Sequence, residues 1–208
     1  GEVISTWIFV MTLCFSRHMY AEVVTNQKIE TWLGCHRRAF EYFNGVPKKL
    51  IIDNPKCAIT RACFRDPAVQ RSYGELAEGY GFLISPCPPA DPEKKGRVEA
   101  GVKYVKNRFV PLRDFRSLTD ANGQLKHWLL ETAGNRIHGS THQKPLTLFA
   151  EGEKHLLRCL PDVPVQIAVW TPLKLHGDCH VRLEKAFYSA PCGLVHQWLW
   201  VKGTDTTV

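Results

Sequence analysis

The order of strand-like and helix-like segments over residues 7–109 is the feature that most constrains the fold. The apolar run Trp7–Cys14 is typical of a strand buried on both faces, and Met19–Val24 predicts its antiparallel neighbour. Apolar side chains at three- and four-residue steps then predict a helix over residues 26–43. Further segments are predicted as strand, helix and strand over residues 48–53, 66–80 and 82–85. Because helices alternate with strands, the pattern predicts an α/β layer.

Four prolines in the seven residues Pro86–Pro92 interrupt this pattern. Proline fixes φ and has no backbone donor, so we expect a stiff loop here, neither helix nor central strand. A helix is predicted to follow from about Lys95 to Phe109. Within it, Lys103 and Lys106 lie four and seven residues after Glu99, so all three side chains share one face.

Two carboxylates stand on contrasting elements. Asp53 ends the strand-like run Leu50–Asp53, and Glu99 lies inside the basic helix. Magnesium takes oxygen ligands that rigid strands and helices hold in place, and two such ions about 3.5–4 Å apart promote phosphodiester cleavage. Such a site usually has three carboxylates, whereas the sequence offers two. A Glu four residues before a Lys is also an ordinary solvent-side pair worth about 0.2–0.5 kcal/mol, so spacing alone leaves both interpretations open.

Composition indicates a globular protein with an anionic partner. The 208 residues include 27 Lys plus Arg against 20 Asp plus Glu, and the formal charge of +7 favours nucleic acid. The eight cysteines stand singly, without a C-x-x-C pair or zinc-type spacing, which predicts reduced and mostly buried thiols. No apolar run reaches the roughly 18 residues of a membrane helix, and the first residues lack the pattern of a signal peptide. We therefore expect a cytoplasmic protein.

The character of the chain changes after Pro161. Short alternating segments separated by Gly and Pro predict a small antiparallel β-barrel, with strands over residues 165–170, 179–183, 186–189 and 197–202. A helix around Glu151–Arg158 is predicted to connect it to the preceding region. In the barrel, a set of basic and aromatic residues could bind a partner, or the aromatic members could fill a small core. These residues are Arg182, Lys185, Tyr188, Trp198 and Lys202.

Several motifs, taken in order, resemble a known family. They are Ile51-Ile52-Asp53-Asn54, Tyr80-Gly81-Phe82 leading to Pro86-Cys87-Pro88-Pro89, Lys95-Gly96-Arg97-Val98-Glu99, Tyr104-Val105-Lys106-Asn107-Arg108-Phe109, and Asn135-Arg136-Ile137-His138-Gly139 followed by Lys144-Pro145-Leu146. This order resembles the integrase-type catalytic core of bacterial insertion-sequence transposases of the IstA kind. Each motif alone is weak, but together they span nearly the whole chain.

The resemblance implies a ribonuclease-H-like fold, a mixed five-stranded sheet with flanking helices, and an Asp, Asp, Glu triad that binds two Mg²⁺ ions, for which Mn²⁺ can substitute. Asp53 matches the second Asp and Glu99 matches the Glu. The first Asp has no match, because it belongs to a strand upstream of a stretch like Trp7–Leu13 and only six residues precede Trp7. The resemblance therefore implies a core over residues 1–150 without its first strand, a linker over residues 151–163 and a barrel over residues 164–208. It also implies that this fragment is inactive on its own.

The implied reaction is hydrolysis of a phosphodiester, followed by attack of the released 3′-hydroxyl on a target strand. Lys103 and Lys106 would position DNA phosphates, and Lys95, Arg97 and Asn54 are further candidate DNA contacts. For Asn54 itself, its residue type favours a turn former over such a contact. The implied partners are element-end and target DNA, further copies of the chain in a transposition complex, and a helper ATPase. A bacterial, nucleoid-associated protein without membrane contact is expected.

Two other functions stay open at this point. A non-catalytic nucleic-acid-binding module with a decayed site would bind DNA equally well without Asp53 or Glu99. An assembly or scaffold domain would keep its binding after loss of the lysines.

Overall fold

The computed structural model describes residues 4–52, 67–86, 92–111 and 113–208, with side chains except at residues 67–70, 86 and 92–99. Its first elements are the antiparallel strands β1 (Trp7–Thr12) and β2 (Met19–Val24), with Trp7 opposite Val24. The Leu13 N–H donates to the His18 carbonyl at 2.9 Å and closes the turn. The predicted hairpin is confirmed, with β1 ending two residues earlier than expected.

Helix α1 (Ile29–Phe43) lies against both strand pairs of the core. It starts later than predicted because Asn26 precedes it and accepts hydrogen bonds from the Lys28 N–H and the Thr31 hydroxyl. The helix ends at Asn44, which adopts the left-handed conformation (φ 52°) that asparagine tolerates. Leu33 and Phe40 are fully buried beside β3, whereas Ala39 and Phe43 pack near the hairpin turn.

Strands β3 (Lys49–Ile52) and β4 (Leu83–Pro86) form a parallel pair connected through α2 (Pro67–Tyr80). Gly81 follows α2 with φ +70°, a conformation that favours glycine. The inner faces of these elements share one apolar cluster with α1, which buries Leu50, Ile52, Tyr73, Leu76, Tyr80 and Phe82. The predicted strand, helix and strand are therefore confirmed within the described residues.

Helix α3 (Pro92–Arg108) starts three residues earlier than predicted. The expectation that Pro86–Pro92 is loop throughout is wrong at both ends, since Pro86 closes β4 and Pro92 opens the helix. Proline suits a first helical turn because the N–H that it lacks would have no helical acceptor there. Gly101 lies against the hairpin, where an added Cβ would come within 3.4 Å of Val10.

Helix α4 (Leu118–Trp128) is capped by Ser117, whose hydroxyl accepts from the Asp120 N–H, and it continues into a π-helical turn, Leu129–Ala133. Trp128 is 5% exposed and packs on Phe109, so it serves packing as expected. Asn122 binds the backbone of Val23 on β2, accepting at 2.7 Å and donating at 3.0 Å.

The described core strands form two separate pairs, β1–β2 and β3–β4, rather than one five-stranded sheet. The predicted connecting helix is a succession of short turns: α5 (Pro145–Leu148), a π-helical turn (Phe149–Glu153) and a 3₁₀ turn (Lys154–Leu156). Arg158 then pairs with Val46 as an antiparallel bridge, which ties this segment to the core.

The C-terminal β unit, residues 169–203, consists of the strands β5 (Val169–Lys174), β6 (His180–Leu183), β7 (Ala186–Ser189) and β8 (Trp198–Gly203). The described strands pair as two antiparallel ribbons, β5–β8 and β6–β7, and not as a closed barrel. The strand predicted from Val165 starts at Val169, because Val165 and Ile167 pack on the core cluster of α1 and β3 instead.

Two expectations about the surface can be compared with the described residues. None of the helices that the structure describes is long and apolar enough to cross a membrane. Among the five described cysteines Cys35 is buried, but Cys14, Cys159 and Cys192 are exposed, so the prediction of mostly buried thiols is wrong for these three.

Candidate nucleic-acid interface

A central cleft of about 1400 Å³ separates the two strand pairs of the core. Strands β1 and β3 form its walls, and helices α1 and α3 contribute the remaining sides. The side chains that line it include Val10, Met11, Trp32, His36, Leu50, Ile52, Val102, Lys103 and Lys106. The volume exceeds the roughly 300–1,000 Å³ of most small-molecule pockets. The cleft is thus large enough for a polymer segment.

The cleft explains why β1 is less buried than its sequence predicts. An apolar run like Trp7–Thr12 is expected inside a sheet covered on both faces, yet each of its residues is only partly buried or exposed. Among the described strands, β1 and β3 each pair on one side, so their other edges border the cleft. The outer edge of β2, by contrast, binds Asn122.

Asp53 and Asn54 lie outside the described residues. Ile52, the residue before them, ends β3, is 6% exposed and contributes to the cleft wall. Asp53 is the next residue in the chain. The carboxyl end of β3 therefore lies at the cleft.

Helix α3 carries the other predicted site residues. The backbone at Lys95, Arg97 and Glu99 is helical, but these side chains are outside the description. Lys103 and Lys106 are described, exposed and contribute to the cleft wall. Since positions 99, 103 and 106 share one helix face, this face of α3 is directed at the same cleft as the end of β3.

A metal site cannot be assembled from the described side chains alone, which contain no group of three His, Cys, Asp or Glu suited to a metal ion. Glu22 on β2 is engaged in other contacts: it accepts from the Tyr20 hydroxyl at 2.8 Å and pairs with Arg38 at 2.9 Å. A hard oxygen-ligand site would accordingly depend on Asp53 and Glu99, whose carboxylates suit Mg²⁺ chemically.

Two histidines of the core, His18 and His36, are buried, and His36 contributes to the cleft wall. Burial lowers the pKa of His36 to about 4, against a backbone hydrogen bond that acts the other way, and burial also lowers the pKa of His18 to about 4. His36 donates from Nδ1 to the Trp32 carbonyl at 2.9 Å and accepts at Nε2 from the Tyr73 hydroxyl. Burial therefore favours the neutral form of both rings, which pack against Phe9 and Tyr42.

A contact between α2 and the C-terminal β unit is not predicted by any local pattern in the sequence. The Arg71 guanidinium lies 4.2 Å from the Trp170 ring centroid and 5.1 Å from that of Trp200. Glu75 accepts from the Trp170 indole N–H at 2.6 Å and pairs with Lys202. Although burial opposes it, hydrogen bonding from Lys202 and Trp170 lowers the pKa of Glu75. We call these side chains the α2–β5 contact.

This contact changes the roles expected for the C-terminal aromatic and basic residues. Lys202 is bound to Glu75 within the chain, so it is not a free phosphate contact. Trp198 is 70% exposed, and the interpretation that it fills a core is wrong. Arg182 remains on the surface, with its guanidinium 5.8 Å from the Phe187 ring centroid.

Comparison with known proteins identifies both parts of the chain. Residues 3–92 match the Integrase core domain, and residues 160–208 match the C-terminal domain of Mu transposase. Strands β1 and β3, which form the cleft walls, thus lie in the part of the chain that is similar to an integrase core. The chain's relatives are transposases of the IS21 family, in agreement with the resemblance to the IstA type.

Individual relatives support this assignment. A transposase of Mycobacterium tuberculosis is 35% identical over 99% of this chain, and the transposase of insertion sequence element IS21 from Pseudomonas aeruginosa is 32% identical over 90%. The matches cover 50% and 48% of those proteins, so the chain spans about half their length.

Solved structures support the fold. The catalytic core domain of BIV integrase aligns with a TM-score of 0.52 and 18% identity, covering 73% of this chain and 90% of that one. A simian T-cell lymphotropic virus intasome structure aligns with a TM-score of 0.50 and 14% identity, over 97% of this chain and 65% of that one. At these identities the likeness establishes an α/β fold of the integrase-core type and nothing further.

Proposed function

We propose that this chain is the catalytic-core portion of a DNA transposase that cleaves phosphodiesters and transfers DNA strands. The observation that carries the proposal is the shared cleft, onto which the carboxyl end of β3 and the Lys103–Lys106 face of α3 both open. The match to the Integrase core domain and the transposase relatives support it. A metal-dependent reaction is the general kind for this class.

The residues have separate roles in this proposal. Asp53 and Glu99 would hold Mg²⁺, or Mn²⁺ in its place, because carboxylates on a strand end and a helix are hard and rigid ligands. A pair of bound ions would supply activation of the attacking oxygen and stabilisation of the leaving oxygen. Lys103 and Lys106 bind flanking phosphates, and Lys95, Arg97 and Asn54 are further proposed DNA contacts.

We also propose that one additional strand fills the central cleft and joins both pairs into a mixed five-stranded sheet. Both walls are strand edges that pair on one side only among the described residues. Two buried polar atoms at the cleft, Thr12 Oγ1 and Arg17 Nε, have no hydrogen-bond partner within the described structure. Buried backbone and side-chain groups of this kind normally find partners. The relatives, about twice as long as this chain, have further sequence to supply the strand and the third carboxylate.

The domain limits and partners belong to the same proposal. The division into a core over residues 1–150, a linker over 151–163 and a terminal unit over 164–208 is supported by the separate matches of the two domain families. We propose element-end DNA, target DNA and further copies of the chain as partners. A helper ATPase is proposed from the family resemblance alone.

The test is strand transfer by the chain extended to the length of its relatives, on a DNA duplex carrying the element end. Asp53→Asn and Glu99→Gln are expected to abolish Mg²⁺-dependent joining while leaving DNA binding. Asp114→Asn, at an exposed residue of the loop before α4, is the matched control and should keep activity. DNA binding without cleavage by the unaltered extended chain would favour the binding module with a decayed site. If neither the unaltered extended chain nor its variants bind DNA, the result would favour an assembly or scaffold domain.

A further inference from the structure

A second, smaller cavity of about 570 Å³ lies on the other side of α3 from the central cleft. Tyr104 and Arg108, one turn apart, form its α3 wall, and Trp128, Thr132 and Arg136 form most of the rest. Tyr104 and Arg108 point away from the face that carries Lys103 and Lys106, because successive helical residues differ by about 100° in direction. The proposed metal and lysine functions therefore leave this cavity unexplained.

The cavity is basic. Its lining contains two guanidinium groups and the Thr132 hydroxyl but no carboxylate. Within the part of the chain that the structure describes, the guanidiniums of Arg108 and Arg136 form no hydrogen bond or ion pair with an acid. Burial and the positive charges of Arg136 and Arg17 lower the pKa of the neighbouring His138, in keeping with an excess of positive charge here.

The aromatic residues hold Arg136 rather than offering a surface for stacking. Arg136 lies 3.5 Å from the ring centroid of Tyr104, whose ring also packs against Trp128 at 5.2 Å. Trp128 is 5% exposed. A nucleobase therefore finds no free ring, whereas a guanidinium stacked through its plane keeps its N–H edge available for two parallel hydrogen bonds to an oxyanion.

We propose that this cavity binds one phosphate of the DNA backbone through Arg108 and Arg136. The inference rests on the proposed function, since DNA is the ligand. The proposed phosphate contact lies on the face of α3 that is remote from the cleft. The distance between this contact and Lys106 is about 10–12 Å, the diameter of a helix with its side chains. The two faces would therefore contact different phosphates, and DNA would follow the C-terminal end of α3.

Duplex DNA binding by the 208-residue chain, measured by fluorescence anisotropy over a series of salt concentrations, tests this site. Each of Arg108→Gln and Arg136→Gln is expected to weaken binding equally for unrelated DNA sequences and to reduce the slope of log K against log salt by about 1. Arg136→Lys keeps the charge but loses the planar fork, so it should weaken binding with little change in slope. Arg113→Gln is the matched control, since the Arg113 guanidinium also stacks on a ring, 4.8 Å from Phe109, outside this cavity.

The outcomes separate the two proposals. If the unaltered chain binds no DNA, the proposed DNA function fails along with the site. The unaltered chain could instead bind DNA while Arg108→Gln and the Arg136 variants show the same affinity and the same salt slope as Arg113→Gln. That result would overturn the phosphate site alone. Binding of inorganic phosphate, measured by NMR chemical-shift changes, probes the site with a small anion. If both Gln variants lose phosphate binding but bind DNA as well as the unaltered chain, the assignment of DNA as the ligand is overturned. Unchanged thermal unfolding of the variants shows that each one is folded.

Discussion

The core and the C-terminal β unit of this chain are stabilised in different ways. In the core, apolar clusters tie both strand pairs to helices, and Leu33 and Phe40 are fully buried. In the C-terminal β unit, Phe187 and Trp198 are 64% and 70% exposed. That unit is joined to α2 through the α2–β5 contact, which consists of stacked and hydrogen-bonded polar groups. We infer that the core is stable by itself, whereas the C-terminal unit depends on its attachment.

The largest expected effect is in the core cluster. Phe40 is fully buried, with its ring centroid 5.0 Å from that of Tyr80 and 5.5 Å from that of Phe82. Phe40→Ala removes these contacts and leaves a cavity, so it should lower the free energy of unfolding by about 3–5 kcal/mol. Urea unfolding followed by circular dichroism measures the change.

Phe187→Ala is the matched control in the C-terminal β unit. The same deletion at a side chain that is 64% exposed should change stability by no more than about 0.5 kcal/mol. Equal losses from the two substitutions would contradict the contrast between the regions.

Acid should weaken the core through its buried histidines. His36 is buried with a pKa of about 4, below its ordinary value of 6.5, so folding favours the neutral ring. The contribution of the neutral His36 ring to the free energy of unfolding is complete above pH 6.5. This contribution is lost as the pH falls from 6.5 towards 4. The shift corresponds to roughly 3 kcal/mol. His18 is shifted in the same direction by burial and should add to the loss.

Unfolding free energies measured in urea at pH 7.0, 5.5 and 4.5 test this expectation. His36→Gln should start less stable and lose less between those pH values than the unaltered chain. His155→Gln, in the exposed 3₁₀ turn, should follow the unaltered chain. A pH profile that His36→Gln leaves unchanged would show that the buried ring does not control the acid response.

Local patterns in the sequence predicted most core elements, because hydrophobic period and turn residues act within a few positions. The hairpin, α1, β3, α2 and the helix carrying Glu99 were all expected from such signals. The predicted start of α3 is too late because proline, which breaks a helix in its interior, is also suited to a first turn, where Pro92 lies. The helix expected around Glu151–Arg158 was replaced by short turns, since Arg158 instead pairs with Val46.

Tertiary features left no comparable signal. The central cleft depends on which strand edges are paired, and an apolar run such as Trp7–Cys14 does not reveal that one edge of β1 lacks a neighbour. The α2–β5 contact joins Arg71 and Trp170, which are far apart in the sequence. Of the candidate site, the structure places Lys103 and Lys106 on the same cleft as the end of β3, while the geometry of Asp53 and Glu99 stays a prediction.

The smallest expected effect would show whether attachment, rather than burial, keeps the C-terminal β unit ordered. Arg71→Met keeps a long apolar stem but loses the cation above Trp170 and Trp200, an interaction worth about 1 kcal/mol. Hydrogen exchange should therefore become faster in β5 and β8 and stay unchanged in α1 and β3, because local opening follows local contacts. Arg113→Met removes a similar stacked cation from Phe109 inside the core and should leave β5 and β8 unaffected. Faster exchange throughout the chain in Arg71→Met would mean that the two regions unfold together and that the core depends on the C-terminal β unit as well.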